Sequence, residues 1–258
     1  MSEPADSFGV PWQGRTLTEQ PFAGDDGSQA PEVAAALATW VGADQDDVAA
    51  VVAAEMAVMA ALAGRRLMVG VVAVLGEGHP LPDHVRGDAG ADMALAVLVA
   101  ADGARRLPVF TSTQALAAWN PSARPVPVEA ERAGLAAVAE DCDELLLDVA
   151  GPVPFRVPRP ALWALAQGRP WRSPAQDDEL VAAVQAVTVM VAGQMPALRS
   201  AACLPAPLAG LVVVAVVDEG LDGVALDRLT AALGVELGRR AEVAERVANV
   251  RLVVRPTR

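Results

Sequence analysis

Residues 107–119 change their pattern of apolar side chains within a few positions, and this change limits the folds open to the chain. Residues 107–110 form a short apolar run, as in a buried strand, whereas the positions from there to Trp119 follow helical spacing. Thr111 and Gln114 have the spacing of a capping box, in which two side chains bond the free N–H groups of a helix start. The stretch therefore predicts a strand that passes directly into a helix capped by Thr111.

The rest of the chain alternates between the same two kinds of pattern. Asp44 is expected to cap the second helix, residues 122–128 and 193–207 are expected to be loops, and residues 187–191 fit either a helix or a strand. Helices are predicted over 31–40, 44–64, 111–119, 129–140, 159–167, from about 177, and over 222–237. Strands are predicted over 67–75, 93–100, 107–110, 144–148, 155–157, 211–217 and 250–254.

This order of elements predicts an α+β fold in two parts. A mixed β-sheet with packed helices (β-β-β-α-α-β-β-α) would precede a smaller C-terminal β-β-α-β domain. The expected boundaries are an acidic Pro/Gly-rich tail over 1–30, a helical extension over 31–64, a first α+β domain over 65–175, and a C-terminal α+β domain over 176–258.

The N-terminal tail carries three aromatic side chains in a protein that has few of them. Phe8, Trp12 and Phe22 would each gain free energy by burying a ring. We therefore expect the tail to dock, either on the body of the same chain or on a partner.

The composition excludes several kinds of chemistry. All 20 basic residues are arginine, and the chain has no lysine and no tyrosine, which rules out Schiff-base chemistry, a P-loop lysine and a phenolic acid or base. The two cysteines, Cys142 and Cys203, are too few for a disulfide framework and are expected to be buried thiols. No cofactor is predicted.

The negative charge is concentrated at the N-terminal end. The formal net charge is −12, of which ten acidic residues and one arginine over residues 1–64 supply −9. Such a chain repels phosphate backbones, so we expect neither nucleic acid nor an anionic membrane as a partner. No apolar run is long enough to span a bilayer and no secretory signal is visible, which favours a cytoplasmic protein.

Several segments together resemble the SseB family, the enhanced serine sensitivity proteins. They are residues 107–119, Leu146-Leu147-Asp148, Gly151-Pro152, residues 159–168, and the tail segments 9–12 and 21–27. The resemblance implies an SseB N-terminal-type domain over 65–175 and a link to serine sensitivity, but no defined reaction. The role of the type III secretion protein with the same name is not expected, because this chain has no membrane-active or coiled-coil segment. Val149 stands where similar members often have proline.

Two groups of reactive side chains are candidate sites that the sequence does not favour. His79 and His84, with Asp83 and Asp88 nearby, could in principle bind a metal, but they lie in a Gly/Pro-rich loop, and no metal site is predicted. Ser112 and Cys142 would be the nucleophiles of a hydrolase. This hypothesis ranks low, because no nucleophile-elbow motif surrounds either residue.

The predicted binding site lies where strands end. Phe110 and Asp148 each end a strand, and ligands often bind at such ends in α/β sheets. A ligand or partner site is therefore predicted at Phe110, Thr111, Trp119, Asp148 and Trp163; the alternative is that both tryptophans belong to the core and Asp148 caps a turn.

The sequence as a whole favours a non-enzymatic cytoplasmic protein-interaction or regulatory module. Its partner would be an unidentified protein, with a basic surface as one candidate because the N-terminal region is acidic. The alternative is a sensor of serine or another small amino-acid ligand. The sequence leaves the oligomeric state open.

Overall fold

The computed structural model describes residues 22, 24–75, 91–101, 103–152 and 154–257. The tail residues Phe8 and Trp12, and the loop residues His79 and His84, lie outside these ranges. Within them the helices are α1 Pro31–Val41, α2 Val48–Leu62, α3 Thr113–Trp119, α4 Ala130–Ala139, α5 Arg159–Ala166, α6 Asp178–Gln194, α7 Gly223–Gly238 and α8 Ala241–Arg246. The strands are β1 Arg66–Leu75, β2 Ala91–Leu95, β3 Leu98–Val99, β4 Arg105–Phe110, β5 Arg124–Glu129, β6 Glu144–Leu147, β7 Phe155–Pro158, β8 Leu198–Ala206, β9 Gly210–Val217 and β10 Asn249–Pro256.

The first sheet is mixed. Its main path runs β2-β1-β4-β6-β7, while β3 pairs with β4 and β5 pairs with β1. Only the β4–β6 pair is parallel among these strand pairs in the described residues. Helices α1, α2, α4 and α5 contribute to the apolar core on one face, where Leu62, Leu107 and Leu162 are almost fully buried. The predicted mixed sheet with packed helices is confirmed.

The second sheet is the smaller one. It has the order β10-β9-β8, with β9 parallel to β10 and antiparallel to β8. Helices α6 and α7 pack on one face through Leu180, Val184, Leu229 and Leu233. This confirms a second, smaller C-terminal α+β unit. None of the described helices is long and apolar enough to cross a membrane.

Two predicted helix caps are wrong by one turn or by one residue. Asp47, and not Asp44, caps α2, because its Oδ1 accepts the Ala50 N–H at 3.0 Å. Ser112, and not Thr111, caps α3 through the Ala115 N–H at 3.0 Å. The Thr111 hydroxyl is bonded elsewhere, which removes the capping box predicted with Gln114.

Two predicted loops are strands, and one predicted strand is interrupted. The proline-rich segment forms β5, in which Val126 and Val128 turn toward the core and Pro125 and Pro127 alternate with them. Most of the second predicted loop, residues 193–207, forms β8, which pairs with β9 between Leu198 and Ala206. The strand predicted over 93–100 is split into β2 and β3. Residues 187–191 are helical, within α6.

Candidate functional site at the strand ends

The ends of β4 and β6 lie side by side, because these two strands are parallel neighbours with Val109 opposite Leu147. The next residues are therefore close enough to bond. The Asp148 carboxylate accepts the Thr111 N–H at 2.9 Å through Oδ1 and the Thr111 hydroxyl at 2.7 Å through Oδ2. Asp148 has a φ of 50°, a left-handed conformation that aspartate tolerates better than most residues.

An aromatic pair lies next to this bonded pair. Phe110 is fully buried, and its ring centroid is 5.3 Å from that of Trp119 on α3. Trp119 also covers Gly70 of β1, where an added Cβ would lie 3.1 Å from the indole. A side chain at position 70 would therefore require the Trp119 ring to shift by a few tenths of an ångström.

Four of the five predicted site residues are thus brought together, and we name this group, Phe110, Thr111, Trp119 and Asp148, the strand-end rim. The fifth, Trp163, lies on α5 with 37% of its surface exposed, and it is not part of the apolar cluster around Phe110.

A short N-terminal segment lies across the rim. Residues 25–29, which we name the N-terminal strap, precede α1. The Gln29 amide donates to the Thr111 hydroxyl oxygen at 2.9 Å, and the Thr113 N–H donates to the Gly27 carbonyl at 2.9 Å. Gly27 has a φ of 77°, and an added Cβ would lie 2.7 Å from the Thr113 methyl group. Only glycine fits this close approach without a local shift.

Arg66 fastens the strap to the sheet. Its Nε donates to Asp25 Oδ2 at 2.8 Å, its Nη1 donates to the Thr111 carbonyl at 3.1 Å, and its Nη2 donates to the Ser28 carbonyl. The Arg66 side chain is only 8% exposed. The hydrogen bond from Arg66 is the main reason that the pKa of Asp25 is below its usual value.

Sequence reasoning missed the strap and its arginine. The expected docking of the tail rests on its aromatic side chains and does not identify residues 25–29 or Arg66 as the contact. Asp25 and Arg66 are separated by 41 positions, so no local pattern could have paired them.

The three tail aromatics are described only in part. Phe22 is half-buried and lies just before the strap, while Phe8 and Trp12 lie outside the described residues. The docking of those two side chains therefore stays a prediction.

The nucleophiles of the hydrolase hypothesis have structural surroundings. The Ser112 hydroxyl accepts an N–H group as the cap of α3. Cys142 is fully buried, and burial raises the pKa of its thiol, which disfavours the reactive thiolate. Within the described ranges no three His, Cys, Asp or Glu side chains are grouped so that they could hold a metal ion.

The model of the SseB protein N-terminal domain matches residues 33–164, about half of the chain. The chain belongs to the SseB family. In this SseB family protein the matched region runs from α1 into α5 and contains the whole strand-end rim, whereas the strap precedes it. No curated protein and no solved structure matches the chain.

Proposed function

We propose that this SseB family protein is a non-enzymatic cytoplasmic interaction or regulatory module, and that its partner binds the surface that α3 and the N-terminal strap form over the strand-end rim. The observation that carries the proposal is that the rim's polar groups bond one another and the strap. Both Asp148 oxygens accept bonds from Thr111, and the Thr111 hydroxyl also accepts one from Gln29. These groups hold the chain together and leave a preformed surface for contact.

The same engagement argues against catalysis at the rim. A general acid or base must reach a proton of the substrate, and the Asp148 carboxylate is already bonded within the protein. Ser112 and Cys142 are occupied or buried as described above. The hydrolase hypothesis therefore ranks last.

The sensor hypothesis ranks second. A site for an amino acid needs a concave pocket with free polar groups, and pockets for small ligands are usually several hundred Å³. The cavity between the two sheets, lined by Glu55, Met59 and Trp171 among others, has a volume of about 10 Å³, which is about enough for one water molecule. This cavity is too small for serine. We expect serine to leave the melting temperature unchanged; a rise at millimolar serine would favour the sensor.

The exposed part of the surface indicates the character of the partner. On α3, Gln114, Ala117 and Ala118 are exposed. Asp26 of the strap is also exposed, and it is next in sequence to Gly27, which accepts the Thr113 N–H of α3. Small side chains on a helix allow close approach. The Asp26 carboxylate accepts the Ser28 N–H at 2.8 Å but is exposed, and an exposed carboxylate favours a cation. A partner with a basic contact surface fits this arrangement.

The test is a capture experiment with two matched variants. Ala118→Arg places a long cationic side chain on α3. Ala231→Arg places the same side chain at an exposed position of α7, which packs on the second sheet. The comparison uses proteins that the wild type captures reproducibly from lysate. We expect Ala118→Arg to capture at least tenfold less of them, and Ala231→Arg to capture as much as the wild type. Equal capture by both variants would contradict binding at the rim.

A further inference from the structure

Strand β10 has one unpaired edge. It is the outer strand of the three-stranded sheet, it spans eight residues, and within the described part of the chain it pairs with β9 alone. The peptide groups of its outer edge are therefore available to another strand. Edges of this kind are usually shortened, bulged or charged, because they otherwise recruit foreign chains.

Two arginines mark one face of this edge. Arg251 lies opposite Val212 and Arg255 lies opposite Val216, so both side chains share a face, with Val253 between them. The residues opposite Val213 and Ala215, Leu252 and Val254, belong to the core on the other face under α6 and α7. Arg251 and Arg255 are exposed, and neither forms an ion pair with a described residue.

The face that carries the arginines is apolar at its centre, with Asn249 and Ser200 toward its two ends. Val212 and Val214 of the central strand are 6% and 8% exposed, whereas Leu204, opposite Val212 on β8, is 46% exposed. Beside the edge on the helical face, Val250 and Val235 are also exposed. An added strand would thus find apolar neighbours on both faces and two cations on one of them.

A second copy of this chain fits the edge poorly. Any two-fold antiparallel pairing of β10 with its copy gathers four guanidinium groups on one face of the joined sheet. In the register centred on Val253, Arg251 lies directly opposite Arg255 of the other copy, and like charges in that position are destabilising. The arginines therefore act against self-pairing while they favour an acidic strand.

We propose that the outer edge of β10 binds an extended segment of a partner protein, which adds as a fourth strand and carries two acidic side chains four residues apart with an apolar side chain midway between them. The acidic pair would lie beside Arg251 and Arg255, and the apolar side chain would lie beside Val253. Backbone hydrogen bonds would supply affinity, and the charge spacing would supply specificity. This surface belongs to the C-terminal sheet, so it does not depend on the function proposed for the strand-end rim.

The test uses synthetic peptides and the full-length protein. The probe is the end-capped, fluorescently labelled peptide TEIVIEVT, in which two glutamates flank a valine on one face of a strand. We expect it to bind in fluorescence anisotropy at low salt. The variant Arg251→Glu/Arg255→Glu should weaken that binding by tenfold or more and should instead bind the charge-reversed peptide TRIVIRVT. The control Arg124→Glu/Arg172→Glu has the same net charge, changes exposed arginines elsewhere, and should bind the first peptide as the wild type does.

Three results with the peptides would overturn the proposal. One is failure of the wild type to bind TEIVIEVT; another is equal binding by the β10 variant and its control. The third is binding that survives N-methylation of alternate peptide amides, since strand addition requires those N–H groups. Preferential binding of oligothymidylate over the peptide, or dimerisation of the protein through β10 in sedimentation, would likewise assign the edge to a different occupant and contradict the proposal.

Discussion

At the scale of single residues, Glu55 has the most unusual surroundings. It lies on α2, is only 4% exposed, and its two carboxylate oxygens share one donor, the Leu208 N–H, at 3.1 Å each. Arg156 also lines the cavity beside Glu55, but Arg156 is paired with Glu144 at 2.8 Å. Burial without a cationic partner raises the pKa of Glu55 to about 7.

This pKa predicts a pH dependence of stability. The folded-state pKa of about 7 lies above the ordinary value of 4.5, so the folded protein binds more protons than the unfolded chain between those two values. The contribution to the free energy of unfolding is therefore fully present below about pH 4.5 and is lost as the pH rises through about 7. Between about pH 5 and about pH 8 we expect a loss of about 2 to 3 kcal/mol from this residue.

The measurement is urea denaturation of the wild type and of Glu55→Gln at both pH values. The glutamine cannot ionise, so the variant should lose about 2 to 3 kcal/mol less than the wild type over this interval. Glu245→Gln, at an exposed position of α8, is the control and should follow the wild type. Parallel pH profiles for the wild type and Glu55→Gln would show that Glu55 titrates normally.

At the scale of elements, the strap shows how contacts distant in sequence complete a site. Residues 25–29 form no helix or strand, yet Arg66, Thr111 and Thr113 hold them through side-chain and backbone bonds. The strap is thus positioned by β1, β4 and α3 together. Loss of one close contact should release it without unfolding the sheets.

Gly27→Ala should loosen the strap. The added methyl group would meet Thr113 at 2.7 Å in a backbone conformation with positive φ, so the strap must move. Limited proteolysis should then cut residues 24–30 faster than in the wild type. Gly168→Ala is the matched control, because Gly168 also has a positive φ but no atom within 4 Å of its added Cβ. If both variants are cut alike at the strap, the Gly27–Thr113 contact does not hold it.

The elements that sequence reasoning placed correctly have strong local patterns. The continuous apolar run of β1 and the regular leucines of α7 predict their own conformations. β5 was missed because its prolines suggest a loop, although the alternation of Val126 and Val128 with Pro125 and Pro127 is a period-two signal. β8 was missed because it consists largely of small residues. The turn after it has φ values of 55° at Leu208 and 54° at Ala209, and neither position carries the glycine or asparagine that would indicate such a turn.

The candidate site was predictable to a similar extent. Parallel packing of β4 and β6 follows from the strand and helix order, so the meeting of Thr111 and Asp148 at the strand ends could be expected. That Asp148 bonds Thr111, and that Arg66 and Gln29 join them, depends on packing between distant segments. Such contacts leave no periodic trace in a single sequence.

At the scale of the whole molecule, the described residues of the SseB family protein form two large apolar cores and a smaller apolar cluster around Phe110, and we propose two separate surfaces for contact. The two large cores lie on the first and second sheets. Helix α2 contacts β8, and Glu55 of α2 accepts the N–H of Leu208 in the turn after β8. The strand-end rim belongs to the first sheet and the β10 edge to the second. If both proposals hold, the two surfaces would allow the protein to bind two partners at once, or one partner at two places.

The most direct test of the contact-based account is hydrogen exchange on the complex with a captured partner. The account predicts added protection of backbone amides in α3 and in residues 24–30, while the amides of the buried core strands change little. Protection confined to other regions, with exchange at α3 and the strap equal in the free and bound protein, would contradict the claim that α3 and the strap form the binding surface.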